Sequence, residues 1–89
     1  MRVDTEYGHL FVNKGAVLRM VYLGERQALV GDWEGEGYYA GKVYKEAEQF
    51  ARENGITVVV TLDDPKMEEF YKKRGFTTLA LKWEASQKE

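Results

Sequence analysis

The spacing of apolar positions changes period along the chain, and each change marks an element. His9 to Val12 is a short apolar run closed by Asn13-Lys14-Gly15, and Ala16 to Leu23 continues in bulky and β-branched residues, which predicts a β-hairpin. Gly24-Glu25 marks a second turn before Arg26 to Val30, so the first third predicts a three-stranded antiparallel meander. Glycines at 31, 35, 37 and 41 then predict a loop from Gly31 to Gly41. Beyond it Val43, Ala47, Phe50 and Ala51 recur at helical spacing, with Lys42, Lys45, Gln49, Arg52 and Glu53 on the other side and Asn54-Gly55 as the stop. Ile56 to Leu62 is almost continuously β-branched, the pattern of a central strand buried on both faces. A second helix is signposted by Asp64 as N-cap, Pro65 at the first helical position, acids in the early turns, and Lys72, Lys73 and Arg74 before Gly75. Phe76 to Trp83 predicts a last strand. The order is β-β-β-α-β-α-β, an α/β (α+β) domain whose strand-helix-strand segment is a parallel crossover.

Length and composition confine this to one domain, residues 1–83, followed by a polar tail, 84–89. With 44% hydrophobic and 31% charged residues and a single Pro, the chain is globular in composition. The formal charge of -2 gives no global footprint for nucleic acid or an anionic membrane. No Cys is present, which removes disulfides, thiol catalysis and Cys-based zinc sites, and no metal site is expected. No apolar run approaches the roughly 20 residues needed to cross a bilayer, and the start lacks a secretory core, so a cytoplasmic location is expected. The lone His9 reads as a strand or surface residue.

Three places could carry chemistry. The glycine-rich segment opens a helix directly after a strand, where free backbone N–H groups can hold a phosphate, although Asp32, Glu34 and Glu36 stand in the same segment. It lacks the Lys-Ser/Thr pair of a Walker loop. Trp33, Tyr38, Tyr39 and Tyr44 gather around it and suit a ligand groove, a protein interface or a cap on the core. Phe70-Tyr71 lies on the apolar face of the second helix, a core position that could also present a phenol.

The run Asp63 to Phe76, D-D-P-K-M-E-E-F-Y-K-K-R-G-F, following A-R-E-N-G and a buried strand, resembles the GNAT family of N-acetyltransferases over about Gly37 to Trp83. Asp64-Pro65 stands for that family's Asn-Pro, Phe70-Tyr71 for its aromatic pair and Gly75-Phe76 for its close. The resemblance implies acetyl-CoA in a splay between Arg26 to Val30 and Ile56 to Leu62, with Val30 and Asp64 beside it. It implies a pyrophosphate on the segment Gly35, Gly37, Tyr38, Tyr39, Ala40 and Gly41. Two frames can be laid on the family's Gln/Arg-x-x-Gly-x-Gly/Ala signature there, and each departs from it at two of the three defined positions. One puts Gly35, Tyr38 and Ala40 at its three defined positions, the other Glu34, Gly37 and Tyr39. By the same resemblance Tyr71 is the general acid that protonates the departing thiolate, and Glu25 is the nearest carboxylate for a general base.

The family's two helices before the meander have no counterpart here, and the last strand has no partner in this reading. A bare sheet edge of that kind predicts pairing with a second copy or with another protein. Two functions follow from the resemblance: a minimal acyltransferase moving an acetyl group from acetyl-CoA to an unidentified amine, or a GNAT-like scaffold without catalysis that acts through a dimer or partner interface.

Overall fold

In this computed structural model residues 1–61, 66–79 and 82–85 are described, with 77–79 and 82–85 described by their backbone. The elements among them are β1 Arg2–Asp4, β2 Gly8–Asn13, β3 Ala16–Gly24, β4 Gln27–Glu34, α1 Gly37–Glu53, β5 Thr57–Thr61, α2 Met67–Lys73, β6 Thr77–Leu79 and β7 Lys82–Ala85. They build a mixed α+β fold around a seven-stranded sheet in the order β1-β2-β3-β4-β5-β7-β6.

The first hairpin follows from its turn residues. Lys14 and Gly15 both take positive φ, 49° and 87°, and Asn13 faces Ala16 across the closing pair. A two-residue turn with two left-handed positions matches the twist of the strands it joins, and glycine takes one of those positions without strain. The register that results puts Phe11 opposite Leu18 and His9 opposite Met20 on one face, and Leu10 opposite Arg19 on the other.

Three expectations are corrected. A strand precedes the meander: Arg2, Val3 and Asp4 pair with Phe11, Leu10 and His9, so the antiparallel part has four strands. Helix α1 begins at Gly37, inside the segment expected as loop. Ala40, Val43, Tyr44, Ala47 and Ala51 form one stripe, and burying it outweighs the roughly 1 kcal/mol that each helical glycine costs. The run Phe76 to Trp83, expected as one unpartnered strand, is divided between β6 and β7, which pair antiparallel, and β7 inserts next to β5. That strand extends through Ala85, into the expected tail. Asp64 and Pro65, the expected N-cap and first helical position of α2, lie outside the described residues, as do Leu62, Asp63 and residues 86–89.

Helix α1 presses Val43, Tyr44, Ala47 and Ala51 onto Phe11, Leu18, Met20, Ala28, Val58 and Val60. The Val, Leu, Met and Phe side chains among them stabilise the fold by about 1.5–3 kcal/mol each when fully removed from water, which makes this face of the sheet the core. The opposite face carries Leu10, Val12, Val17, Val21 and Leu29, all half-buried, with an Arg19–Asp32 ion pair of 2.6 Å among them. No helix among the described residues is long and apolar enough to cross a membrane.

Candidate functional site

Strands β4 and β5 pair in parallel over three residues, Gln27 with Thr57, Ala28 with Val58 and Leu29 with Val59, and then part. The cause lies on the other side of β4. Against β3, Val30 faces Met20 and Asp32 faces Arg19, which leaves Gly31 as an extra residue. Such a bulge bends its strand and increases the local twist. β5 meanwhile follows β7, with Val60 opposite Trp83 and Thr61 opposite Lys82. Between the diverging ends lies a cleft of about 230 Å³, lined by Val30, Gly31, Trp33, Val60, Thr61, Met67 and Tyr71.

Behind the cleft residue Trp33, a stack of aromatic rings ties both helices to β4. Trp33 lies 5.1 Å from Tyr44 and 5.6 Å from Phe70, and Tyr44 and Phe70 meet edge to face at 5.1 Å. The Trp33 indole Nε1–H donates to the Ala40 carbonyl at 2.9 Å, which fixes the ring against the first turn of α1. Burial first, and then the nearby Glu48 carboxylate, push the Tyr44 phenol well above its ordinary range, so it stays protonated. Arg74, just after α2, ion-pairs with Glu48 of α1, and this pair raises its guanidinium further. Tyr71 packs 5.0 Å from Phe76 and 5.4 Å from Phe70, so it belongs at once to the core and to the cleft wall.

The N-terminus of α1 opens near the cleft, two residues after β4 ends. The N–H groups of Tyr39 and Ala40 donate to the Glu36 carbonyl, at 3.0 and 3.2 Å. The helix itself offers no acceptor to the N–H groups of Gly37 and Tyr38. Gly35 has to be glycine: its φ is +135°, and a Cβ there would stand 2.5 Å from Ala16 Cβ and 2.7 Å from Ala16 Cα. The charges around this terminus are mixed. Glu34 and Glu36 are exposed beside it, while the Lys42 ammonium, one turn on, lies 5.1 Å from the Tyr38 ring centre and donates to the Tyr38 hydroxyl at 3.3 Å.

Of the residues expected at a site, Tyr71 and Val30 meet in the cleft. Gly35 lies in the connection to α1, and Gly37, Tyr38, Tyr39, Ala40 and Gly41 form the first turns of that helix. Tyr38 is exposed, whereas Tyr39 packs on the core. Glu25 does not belong with them. It sits in the turn before β4, five residues from Val30 and so roughly 17 Å from the cleft along the strand. Asp64 lies outside the described residues. Val60 and Thr61 lie in the strand expected at the splay but were not singled out, because nothing in a β-branched run shows where pairing stops, and Met67 was missed. The Gly31 bulge had a signal, a glycine directly after the apolar run Ala28 to Val30, which was read as the start of a loop. No group of three or more His, Asp or Glu side chains that could hold a metal ion comes together among the described residues. No family model, curated protein or solved structure matches this chain.

Proposed function

We propose that the chain is a GNAT-like acyltransferase domain that moves an acetyl group from acetyl-CoA to an amine. The observation that carries the reading is the parting of β4 and β5 after Leu29 and Val59, with a cleft at the split and the N-terminus of α1 two residues beyond the end of β4. A cleft of about 230 Å³ has room for an acyl-thioester arm rather than for a whole coenzyme. The N–H groups of Gly37 and Tyr38, with Lys42 one turn on, are then the donors for phosphate oxygens outside it. In the transfer an uncharged amine attacks the thioester carbonyl, the N–C bond forms as the C–S bond breaks, the Tyr71 hydroxyl gives its proton to the departing thiolate, and the proton that the nitrogen sheds as it becomes an amide restores the phenol. A phenol matches a thiolate in basicity closely enough for that step.

Melting the protein with and without acetyl-CoA tests the reading. At about 100 times its dissociation constant the ligand adds about 2.7 kcal/mol, which raises the midpoint of a domain this size by roughly 10–20 °C. No shift at millimolar acetyl-CoA sinks it.

A second reading, a scaffold of the same shape without catalysis, is favoured by Glu34 and Glu36, whose exposed carboxylates flank the place where phosphates would sit. If those charges are what weakens binding, Glu34→Gln with Glu36→Gln tightens acetyl-CoA. An affinity that stays immeasurable in the double variant leaves the scaffold reading in place.

A further inference from the structure

Far from the cleft, three polar side chains on β1, β2 and β3 form a continuous chain. The Asp4 carboxylate is 2.8 Å from His9 Nδ1, and His9 Nε2 is 2.8 Å from the Tyr22 hydroxyl. Register explains the assembly: Asp4 and His9 are direct cross-strand partners, and Tyr22 lies on β3 next to the irregularity between Tyr22 and Gly24. The imidazole is held on both sides. Phe50 of α1 meets it edge-on at 4.6 Å, and Tyr22 at 5.3 Å. The Arg2 guanidinium is 3.0 Å from Asp4 and stacks over Phe50 at 4.3 Å, which steadies the carboxylate end. Only 13% of the His9 side chain is exposed, while Tyr22 keeps 36% of its surface in solvent.

The chemistry of the chain is directional. The hydrogen bond from His9, the first cause, holds the Asp4 carboxyl below its ordinary range, so Asp4 is ionised and can only accept. His9 Nδ1 therefore carries a proton. In the neutral imidazole the lone pair is then on Nε2, aimed at the Tyr22 phenol, and a carboxylate stands behind the ring to stabilise the imidazolium that proton uptake creates. Two other tyrosines supply the contrast: Tyr7 and Tyr38 are more exposed, 70% and 69%, and neither has a histidine beside its hydroxyl.

We infer that Tyr22 is a base-assisted nucleophile, a modification site for tetrahedral electrophiles such as sulfonyl or phosphoryl donors with a good leaving group. With a sulfonyl fluoride, the phenol oxygen attacks sulfur. The O–S bond forms as the S–F bond breaks, fluoride departs with that bond's electron pair, and the phenol proton passes to His9 Nε2. Asp4 is a positioning residue in this step.

The test treats the folded chain with benzenesulfonyl fluoride and follows each tyrosine by peptide mass spectrometry. Tyr22 reacts roughly tenfold or more faster than Tyr7 and Tyr38 despite its lower exposure. His9→Phe keeps a ring against Phe50 and brings the Tyr22 rate down to that of Tyr7. Asp4→Asn lowers the Tyr22 rate and leaves the Tyr38 rate unchanged. The comparison within the unaltered protein needs no variant to fold. Labelling that follows exposure, with Tyr7 and Tyr38 at or ahead of Tyr22, overturns the inference, and so does a Tyr22 rate that His9→Phe does not change.

Discussion

The two ends of the β4–β5 pair are built from similar residues and behave oppositely. At the closed end Ala28 and Val58 are buried side by side under α1, with Gln27–Thr57 and Leu29–Val59 completing the parallel register. At the open end Val30 and Val60 face a cleft, and one extra residue, Gly31, is what separates them. The contrast teaches that hydrophobic pattern decides which strands join the sheet, while a single backbone irregularity decides where they part. Core packing and cleft formation are therefore separable along the same strand.

Substitutions at each end sharpen that division. The largest effect is expected at the open end. Tyr71→Phe keeps the ring that packs on Phe70 and Phe76 but removes the hydroxyl, and it lowers acetyl transfer by about 100-fold or more with little change in acetyl-CoA affinity. Steady-state kinetics with a panel of amines checks it; unchanged turnover returns Tyr71 to a purely structural role. At the closed end Ala28→Leu forces extra methylenes into a site with no exposure and costs about 1–3 kcal/mol in denaturant unfolding. The protein that remains folded binds acetyl-CoA as before. The smallest effect on stability belongs to Gly31→Val. No atom stands within 4 Å of a Cβ at this position and its φ is not positive, so unfolding free energy changes by no more than about 0.5 kcal/mol. The new side chain narrows the cleft mouth, and acetyl-CoA binding by calorimetry weakens. A Gly31→Val protein that loses several kcal/mol, or an Ala28→Leu protein that loses binding alone, breaks the comparison.

Much of the closed end was legible in the residues. The Lys14-Gly15 turn, the Val43-to-Ala51 stripe and the β-branched run of β5 each carry their own geometric signal, and all three formed where that signal lay. What escaped has physical reasons. Arg2–Asp4 is too short and polar to show a strand period, and it forms because β2 offers an edge to pair with. The run Phe76 to Trp83 holds no Gly, Pro, Asn or Asp, so its division between two paired strands carries no signal. The glycines at 37 and 41 argued for a loop, yet tertiary burial drew them into α1. Tyr71 was named from a motif and Val30 from the implied splay, but that Glu25 lies at the other end of β4 from the cleft could not be read without knowing which end opens. The Asp4–His9–Tyr22 chain joins three strands, so no local spacing shows it.

The most direct test of the acyltransferase reading is residue-level mapping of the ligand. A chain of 89 residues suits amide chemical-shift titration by nuclear magnetic resonance, with acetyl-CoA added stepwise to millimolar concentration. The account predicts shifts concentrated at Val30, Gly31, Trp33 and Val60 in the cleft and at Gly37 and Tyr38 on α1, with Gln27, Ala28 and the Asp4–His9–Tyr22 edge unmoved. A spectrum that does not change, or changes that gather on the Leu10–Val17–Val21 face instead, contradicts it.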